Sequence, residues 1–455
     1  MKMPLIPIEE RLTTFNEVEM SLSHEQAIAE ANRCLQCASP TCIEGCPAKV
    51  LIPDFIKAFK EKRIEDAAEI IRESNFFPSI CGRICQHEKQ CEASCILAKT
   101  GDPICIGGLE RFIGDNAPPP KNEKKFNGKK AAIIGSGPSG LTAAAHLALQ
   151  GINVTVFESS NAFGGVIKYG VPEFRLPKET VSKELKILHD LGIDFEPNSK
   201  IAEESLEEVS KKFDLVFVGT GVGKARKLDL PGHELKGVLS AMKFLVNLNQ
   251  SGMPMINPEE KVIVIGAGYV GIDASRSAVR LGAKVTCITV SKREDALKSV
   301  TEKDYLEAEE EGVKFMFGLK VTGFEGKEKV EKVLYENGEK GFVEADRVIY
   351  AIGQEHDEDE LKKPLRDSEN GCIQVNKKHQ TKIENVFAAG DCVHGPKTVV
   401  HAIAAGRGAA KAMIRYLDKK EKDKQEKEQA IEIQKELAKH KVKEEHESKM
   451  DNKDI

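Results

Sequence analysis

The sequence predicts a mainly helical, cysteine-rich N-terminal domain followed by an α/β region with two dinucleotide-binding domains. Two observations carry this reading. Nine of the 12 cysteines fall between Cys34 and Cys105. A strand–glycine–helix pattern begins at Lys129 and recurs at Lys261, each copy running about 30 residues in the manner of a βαβ unit. At 455 residues the chain is too long for one compact core, so two or three domains are expected.

Hydrophobic residues make up 40% of the chain and charged residues 31%, an ordinary balance for a soluble protein. A net charge of -5 gives nucleic-acid binding no electrostatic support. The N-terminal MKMPLIPIEERL has no apolar h-region, so no signal peptide is read. No stretch approaches the roughly 18 to 20 apolar residues of a spanning helix, so no membrane association is expected. The expected location is the cytoplasm, where clustered cysteines bind metal more often than they form disulfides.

Residues 1–120 read as the helical domain. From Asp54 to Glu73 apolar residues recur at helical spacing: Phe55, Phe59, Ile64, Ala68, Ile71. Ala117-Pro118-Pro119-Pro120 and the following KNEKKFNGKK read as a linker. After Tyr416 the chain is rich in Lys and Glu and has no Gly or Pro, so residues 418–455 are expected to form a solvated helix or to be disordered, with no catalytic role.

The first cysteine run is Cys34-x2-Cys37-x4-Cys42-x3-Cys46-Pro47, and the second is Cys81-x3-Cys85-x5-Cys91-x3-Cys95. Thiolates are soft ligands suited to iron and inorganic sulfide. Tight spacing lets one loop wrap a cube, and a trailing Cys-Pro occurs in ferredoxin runs whose fourth cysteine serves the other cluster. Eight thiolates in two groups suit two [4Fe–4S] clusters. Two structural zinc sites would use as many ligands, but the x4 and x5 gaps and the Cys-Pro ending fit clusters better. On spacing alone Cys81 is the eighth ligand.

The first glycine fingerprint is Gly135-Ser136-Gly137-Pro138-Ser139-Gly140 at the end of an apolar strand. Gly135 permits a tight turn, Gly137 lets backbone N–H groups approach a pyrophosphate, and Gly140 lets the helix pack on the strand. The next strand ends at Glu158, eighteen residues beyond Gly140, where a carboxylate accepts hydrogen bonds from ribose hydroxyls. The second fingerprint is Gly266-Ala267-Gly268-Tyr269-Val270-Gly271. Thr289 stands at its position equivalent to Glu158, so no carboxylate repels a 2′-phosphate. Ser291, Lys292 and Arg293 follow within reach of one, which favours NADPH over NADH.

Further motifs carry a resemblance. They are Gly164-Gly165 with the run through Arg175 to Pro177, then Ala389-Gly390-Asp391, Gly395-Pro396-Lys397-Thr398 and Gly406-Arg407. With the cysteine runs they make the chain, from residue 5 to about 417, similar to the glutamate synthase small-subunit family, including the homo-oligomeric NADPH type. The large subunit of NADH-dependent ferredoxin:NADP oxidoreductase and the N-terminal half of dihydropyrimidine dehydrogenase share the pattern. The resemblance implies that Cys34, Cys37, Cys42 and Cys95 hold one cluster. It assigns the second to Cys46, Cys85, Cys91 and an oxygen ligand after Gly-Gly-Leu, here Glu110, leaving Cys81 and Cys105 as non-ligands. A carboxylate ligand would alter that cluster's charge and potential.

The same resemblance places Asp391 on the ribityl chain of FAD, with the following helix aimed at the isoalloxazine. Pro138, Ser139, Gly164, Gly165, Arg175, Gly221, Gly353, Gly390 and Thr398 are further implied cofactor contacts. Gly219-Thr220-Gly221 and Ala351-Ile352-Gly353 mark, in the family, crossings between an FAD domain and an inserted NADPH domain. That puts the FAD domain at 121–235 and 353–417 and the nicotinamide domain at 236–352. The chain departs from the family at Tyr269 and Val270, where a polar and a small residue are common, and at Val290 and Ser291, where two arginines often stand. Tyr269 either covers the nicotinamide entrance or packs on its helix.

A disulfide reductase needs a redox Cys-x-x-Cys beside the flavin. Outside the N-terminal region only Cys287, Cys372 and Cys392 occur, and none forms such a pair. Relay from nicotinamide through FAD to single-electron clusters is chemically coherent and needs no catalytic acid or base. The resemblance implies NADPH-dependent electron supply to FMN, which reduces 2-iminoglutarate to L-glutamate. The chain begins Met-Lys-Met and has no FMN barrel of about 250 residues, so a large subunit with glutaminase and barrel is the implied partner. The alternative is the large subunit of an electron-bifurcating ferredoxin:NADP oxidoreductase or sulfide dehydrogenase with a ferredoxin-reductase-like partner. A homo-oligomer is a further option.

Overall fold

The structure, a computed structural model, describes residues 3–121, 125–252, 255–355, 365 and 371–451, with side chains except at 203–204 and 440–451. Residues 122–124 of the expected linker, 356–364 and 366–370 of the expected FAD segment, and 452–455 of the charged tail lie outside the described residues.

Buried apolar runs become parallel strands. In Lys130–Ile134 every residue after the first is buried, as in a strand covered on both faces. It pairs in parallel with Asn153–Phe157 and Leu215–Val218. Asp194–Glu196 and Val386–Ala388 form the edges of this first sheet. A second parallel sheet is built the same way around Lys261–Ile265, between Lys284–Thr289 and Arg347–Tyr350, with Lys314–Phe317 and Val238–Ser240 at its edges. The edge strand Val386–Ala388 follows the second sheet in sequence, so the second sheet is inserted between two strands of the first. A short antiparallel pair, Lys224–Ala225 with Gln354–Glu355, joins the outgoing and returning chain. A three-stranded antiparallel sheet, Lys320–Glu325, Lys332–Asn337 and Glu339–Glu344, packs Phe324 and Val333 against Ile263, Ile265 and Val348 of the second sheet.

The N-terminal region is helical, with its main helices at His24–Asn32, Ile52–Lys60, Ile64–Arg72, Pro78–Ile84 and Ile106–Asn116. Ser23 starts the first of these with a reciprocal cap: Gln26 N–H donates to Ser23 Oγ, and Ser23 N–H donates to Gln26 Oε1. The helical spacing from Asp54 to Glu73 proves to be two helices, because Lys62 adopts a left-handed φ of 61° that ends one and turns the chain into the next. The apolar faces survive the break, and Phe55, Phe59, Ala68 and Ile71 are all buried. These residues belong to one continuous core with Ile133, Leu141 and Ala410, so the helical domain is seated on the first sheet domain rather than closed on itself.

The long helix Val399–Asp451 packs along Pro138–Ala148, burying Ile403, Ala409, Ala410 and Met413. The approach is close: a Cβ on Gly406 would lie 2.2 Å from the Ser139 carbonyl oxygen. Beyond Leu417 every described side chain is exposed, so the expected solvated tail is a helix. Pairs four residues apart, Lys422–Glu426 at 3.9 Å and Lys424–Glu428 at 3.7 Å, contribute a few tenths of a kcal/mol each at most. The fold class expected from the sequence, a helical domain followed by two Rossmann-like domains, is the one observed. Among the described residues no helix is long and apolar enough to cross a membrane.

Candidate functional site

The first fingerprint opens onto a cavity of about 690 Å³, within the roughly 300–1,000 Å³ of small-molecule sites. Gly140 is sterically required, since a Cβ there would sit 2.1 Å from the Gly135 carbonyl oxygen. Helix Pro138–Ala148 therefore starts flush against its strand and aims its free N–H groups into the cavity. Gly135, Gly137, Pro138, Ser139, Glu158, Gly165, Arg175, Gly221, Asp391 and Thr398 all line it, whereas Gly140, Gly164, Gly353 and Gly390 do not. Ser139 Oγ and Thr220 Oγ1 are buried in that wall with no hydrogen-bond partner among the described residues. Such orphan hydroxyls fit a polar, phosphate-bearing ligand.

Two carboxylates differ along this cavity. Burial pushes the Glu158 carboxyl up, but hydrogen bonds from Ser136 and Ser160 outweigh it and hold Glu158 below its usual range. Ser136 Oγ donates at 2.6 Å and Ser160 N–H at 2.9 Å. Asp391 receives one such bond, from Lys397 N–H at 3.3 Å, and burial pushes it up to about 6. Thr398 Oγ1 shares a 2.6 Å hydrogen bond with His401 Nδ1 where the long helix begins.

The second fingerprint repeats the geometry. A Cβ on Gly271 would lie 1.8 Å from the Gly266 carbonyl oxygen, while one on Gly268 would meet nothing within 4 Å. Tyr269 and Val270, which open helix Tyr269–Arg280, face the same 690 Å³ cavity as the first fingerprint. The Tyr269 hydroxyl accepts a hydrogen bond from Thr301 N–H at 3.1 Å, and the Arg175 guanidinium carbon lies 5.5 Å from its ring centre. Lys292 is exposed, whereas Arg293 is engaged by Glu309 at 2.9 Å.

In the helical domain Cys34, Cys37, Cys42 and Cys95 line one small cavity with Leu35, Ile56 and Ile104. Gln36 takes a φ of 51° between the first two thiols, and its Nε2 donates to Cys34 Sγ at 3.4 Å. Burial, reinforced by Cys95, pushes the Cys42 thiol up to about 11, so Cys42 ionises only beside a cation such as cluster iron. Cys46, Cys85, Cys91 and Glu110 gather in a second group, and Cys81 lies with them beside Cys85. Glu110 is buried, burial pushes it up to about 7, and Asn75 Nδ2 donates to its Oε1 at 2.7 Å. Glycines bring these helices together: a Cβ on Gly82 would lie 2.5 Å from Arg111 N, and one on Gly107 would lie 2.4 Å from the His87 ring. Cys105 stands apart, its N–H donating to Glu30 Oε1 at 2.8 Å. Among the described residues no three His, Cys, Asp or Glu side chains converge closely enough to share one metal ion, and the Cys34 set is spread round a cavity instead. Donor chemistry and arrangement fit clusters in both places.

Residues 129–406 match the pyridine nucleotide-disulphide oxidoreductase family. Residues 11–121 match the dihydropyrimidine dehydrogenase domain II, 4Fe-4S cluster family. The chain is 35% identical over 456 residues to the glutamate synthase [NADPH] small chain of Azospirillum brasilense, covering 90% of this chain and 93% of that one. This chain belongs to the glutamate synthase small-chain family. Another relative is the dihydropyrimidine dehydrogenase subunit PreT of Escherichia coli (strain K12), 34% identical over 86% of this chain and 94% of its own length. Among solved structures, FprA of Mycobacterium tuberculosis in complex with NADPH superposes with a TM-score of 0.54 at 18% identity, over 66% of this chain and 86% of that one. Thioredoxin reductase of Lactococcus lactis gives 0.52 at 21% identity, over 64% and 99%. At such identities these structures show the fold alone. As a member of the small-chain family the protein is a pyridine-nucleotide-dependent flavin oxidoreductase with FAD and NAD(P) sites and a 4Fe-4S domain.

For this small-chain family member the sequence missed the residues that join its modules. Asp273 lines the cavity one turn after Tyr269 and binds Arg175, and Asp304 supports it. Ile84 and Gln86, the neighbours of Cys85, also line the cavity. Asp273 is the single acid of helix Tyr269–Arg280, which was the available signal for it; nothing local marks Ile84 or Gln86.

Proposed function

We propose that the chain oxidises NADPH and delivers electrons through two [4Fe–4S] clusters to a partner that makes L-glutamate from 2-iminoglutarate. One observation carries this reading: the first fingerprint, the start of the helix after the second, and both neighbours of Cys85 line a single cavity. Bound FAD and clusters would supply hydride acceptance and single-electron relay. The chain's own residues would bind, orient and exclude water. The first turn of helix Pro138–Ala148 would hold the FAD pyrophosphate, Glu158 a ribose, and Asp391 the ribityl chain. Tyr269, Val270 and Arg175 would wall the nicotinamide side, and Lys292 with Arg293 would meet the 2′-phosphate. Cys34, Cys37, Cys42 and Cys95 would hold one cluster, and Cys46, Cys85, Cys91 and Glu110 the other. This assigns residues 1–120 to the clusters, 121–235 and 353–417 to FAD, and 236–352 to the nicotinamide.

The relatives named glutamate synthase [NADPH] small chain support a large-chain partner, which in this reading would bear the glutaminase and FMN barrel. Anaerobically purified protein should contain FAD and about eight irons with matching acid-labile sulfide per chain. NADPH should bleach the flavin, and adding the large chain should yield glutamate from glutamine and 2-oxoglutarate. Zinc in place of iron and sulfide would sink the reading. The ion pair of Arg293 with Glu309 favours one alternative, because it occupies a ligand expected for the 2′-phosphate. In that reading the nucleotide is NADH and the partner a ferredoxin-reductase-like subunit, and ferredoxin reduction coupled to that partner would replace glutamate formation.

A further inference from the structure

Helix Tyr269–Arg280 is held at its far end by both other domains. The Glu311 side chain is fully buried and bound by two guanidinium groups from that helix. Arg276 reaches it at 2.8 and 2.7 Å, and Arg280 at 2.7 and 2.9 Å. Both groups lie over Phe174 of the first sheet domain, 5.1 Å from its ring centre for Arg276 and 3.8 Å for Arg280. The helical domain adds a third grip. Arg280 Nε donates to the Thr14 carbonyl at 3.1 Å. Arg11 lies 3.0 Å from Glu310 and 4.0 Å from Glu311. Phe15 packs on Phe174 with ring centres 6.5 Å apart, and Lys303 pairs with Glu19. Glu307 meets Arg276 at 3.0 Å, so three arginines face three glutamates. At the near end of the same helix, Tyr269 and Asp273 line the cavity.

We propose that Glu311, Arg280, Phe174 and Arg11 are positioning residues that pin the second sheet domain to the other two, so that helix Tyr269–Arg280 presents the nicotinamide at a fixed distance from the flavin. The inference rests on the NADPH-to-flavin reading above. Domains joined by short connections move relative to each other unless an interface restrains them. Bidentate Arg–carboxylate pairs fix direction as well as distance. A misplacement of about 1 Å can cost hydride-type reactions on the order of 100-fold in rate while leaving binding groups in place.

The test uses the full-length holoprotein with Phe174→Leu and Arg11→Gln, neither of which touches the cavity. Two measurements are made: stopped-flow flavin bleaching against NADPH concentration, and amide hydrogen exchange of residues 269–280 and 301–311 without nucleotide. The limiting bleaching rate should fall about 10-fold while the NADPH Kd changes by less than about 2-fold, and exchange should rise in both segments. If Phe174→Leu does not fold, Arg11→Gln decides, since it leaves both Arg–Glu311 pairs of the helix intact. Unchanged limiting rates, or rate and affinity falling together with flavin content, would overturn the inference. A wild-type protein that neither NADPH nor NADH bleaches would overturn the proposed function and this inference with it, whereas wild-type bleaching with unaltered variants overturns the inference alone.

Discussion

Arg175 Nη1 lies 2.9 Å from Asp273 Oδ1, and this one ion pair ties the loop beside the first fingerprint to the helix that follows the second. Asp304 joins it at 3.4 Å. Burial works against the Arg175 charge, but the two aspartates outweigh it and hold the guanidinium protonated. The Asp273 carboxyl stays above its usual range, because burial outweighs the attraction of that guanidinium. Both residues line the cavity, so the pair is an inner wall of the site as well as a domain contact.

Replacing Arg175 by Met should therefore leave Asp273 and Asp304 without the guanidinium that both of them bind. Breaking a buried pair by removing one partner costs on the order of 3 kcal/mol. Thermal denaturation of the holoprotein should show a fall of several degrees for Arg175→Met, since about 2–4 °C accompanies each kcal/mol in domains of this size. Asp273→Asn, which keeps an acceptor for the guanidinium, should lose less. Equal Tm values for wild type and Arg175→Met would show that the pair contributes nothing.

A buried carboxyl in the seam between the helical and first sheet domains gives the stability a pH dependence. Glu184 accepts a hydrogen bond from Ser79 N–H at 3.2 Å, and burial pushes it from 4.5 up to about 7 despite Arg72 nearby. The native state holds this proton more tightly than the unfolded chain does. Its stabilising contribution is complete below about pH 4.5 and is lost as pH rises through about 7. At roughly 1.4 kcal/mol per pH unit the loss is on the order of 3 kcal/mol. Glu184→Gln should match the wild-type trend below pH 5 and become relatively more stable toward pH 8 in Tm measurements across that range. A Tm difference independent of pH would refute this.

The second cysteine group offers a choice of ligand. Glu110 and Cys81 both stand with Cys46, Cys85 and Cys91. With Glu110 as the ligand, Glu110→Ala should alter the electron paramagnetic resonance of one reduced cluster, and Cys81→Ser should leave both spectra and the iron content intact. The opposite pattern would make Cys81 the ligand.

Nucleotide choice should depend on how Glu309 competes for Arg293. Replacing Lys292 and Arg293 together by Ala should raise KM for NADPH about 10-fold and spare NADH, as expected for loss of charge-assisted contacts to a phosphate. Glu309→Gln should free Arg293 and lower KM for NADPH. Steady-state reduction of a dye with each nucleotide gives the comparison, and equal changes for the two nucleotides would remove the phosphate role.

Much of this protein is legible along the chain. Gly135-x-Gly137-x-x-Gly140 and Gly266-x-Gly268-x-x-Gly271 fix their own turns, because any side chain at Gly140 or Gly271 would strike the carbonyl of the fingerprint's first glycine. A steric requirement that reaches only five residues back is written locally. The apolar spacing from Asp54 to Glu73 was legible as helical, but the break was not, since the left-handed turn falls on Lys62, a residue with no preference for it. The cysteine spacing showed that thiols would gather. It did not show Gln36 turning the chain between Cys34 and Cys37, or Asn75 holding Glu110.

By itself the sequence determined the modules: a thiol-rich helical domain, two glycine fingerprints with their strands, and a charged tail. Each rests on contacts between near neighbours in the chain or on the periodicity of one element. Only the tertiary structure decided which modules share a cavity and how they are fastened. It placed Cys85's neighbours beside the first fingerprint, set Arg175 on Asp273, and closed Glu311 between Arg276 and Arg280 under Phe174. These contacts join residues tens to hundreds of positions apart, and their energy comes from burial and charge pairing that exist only once the domains have packed.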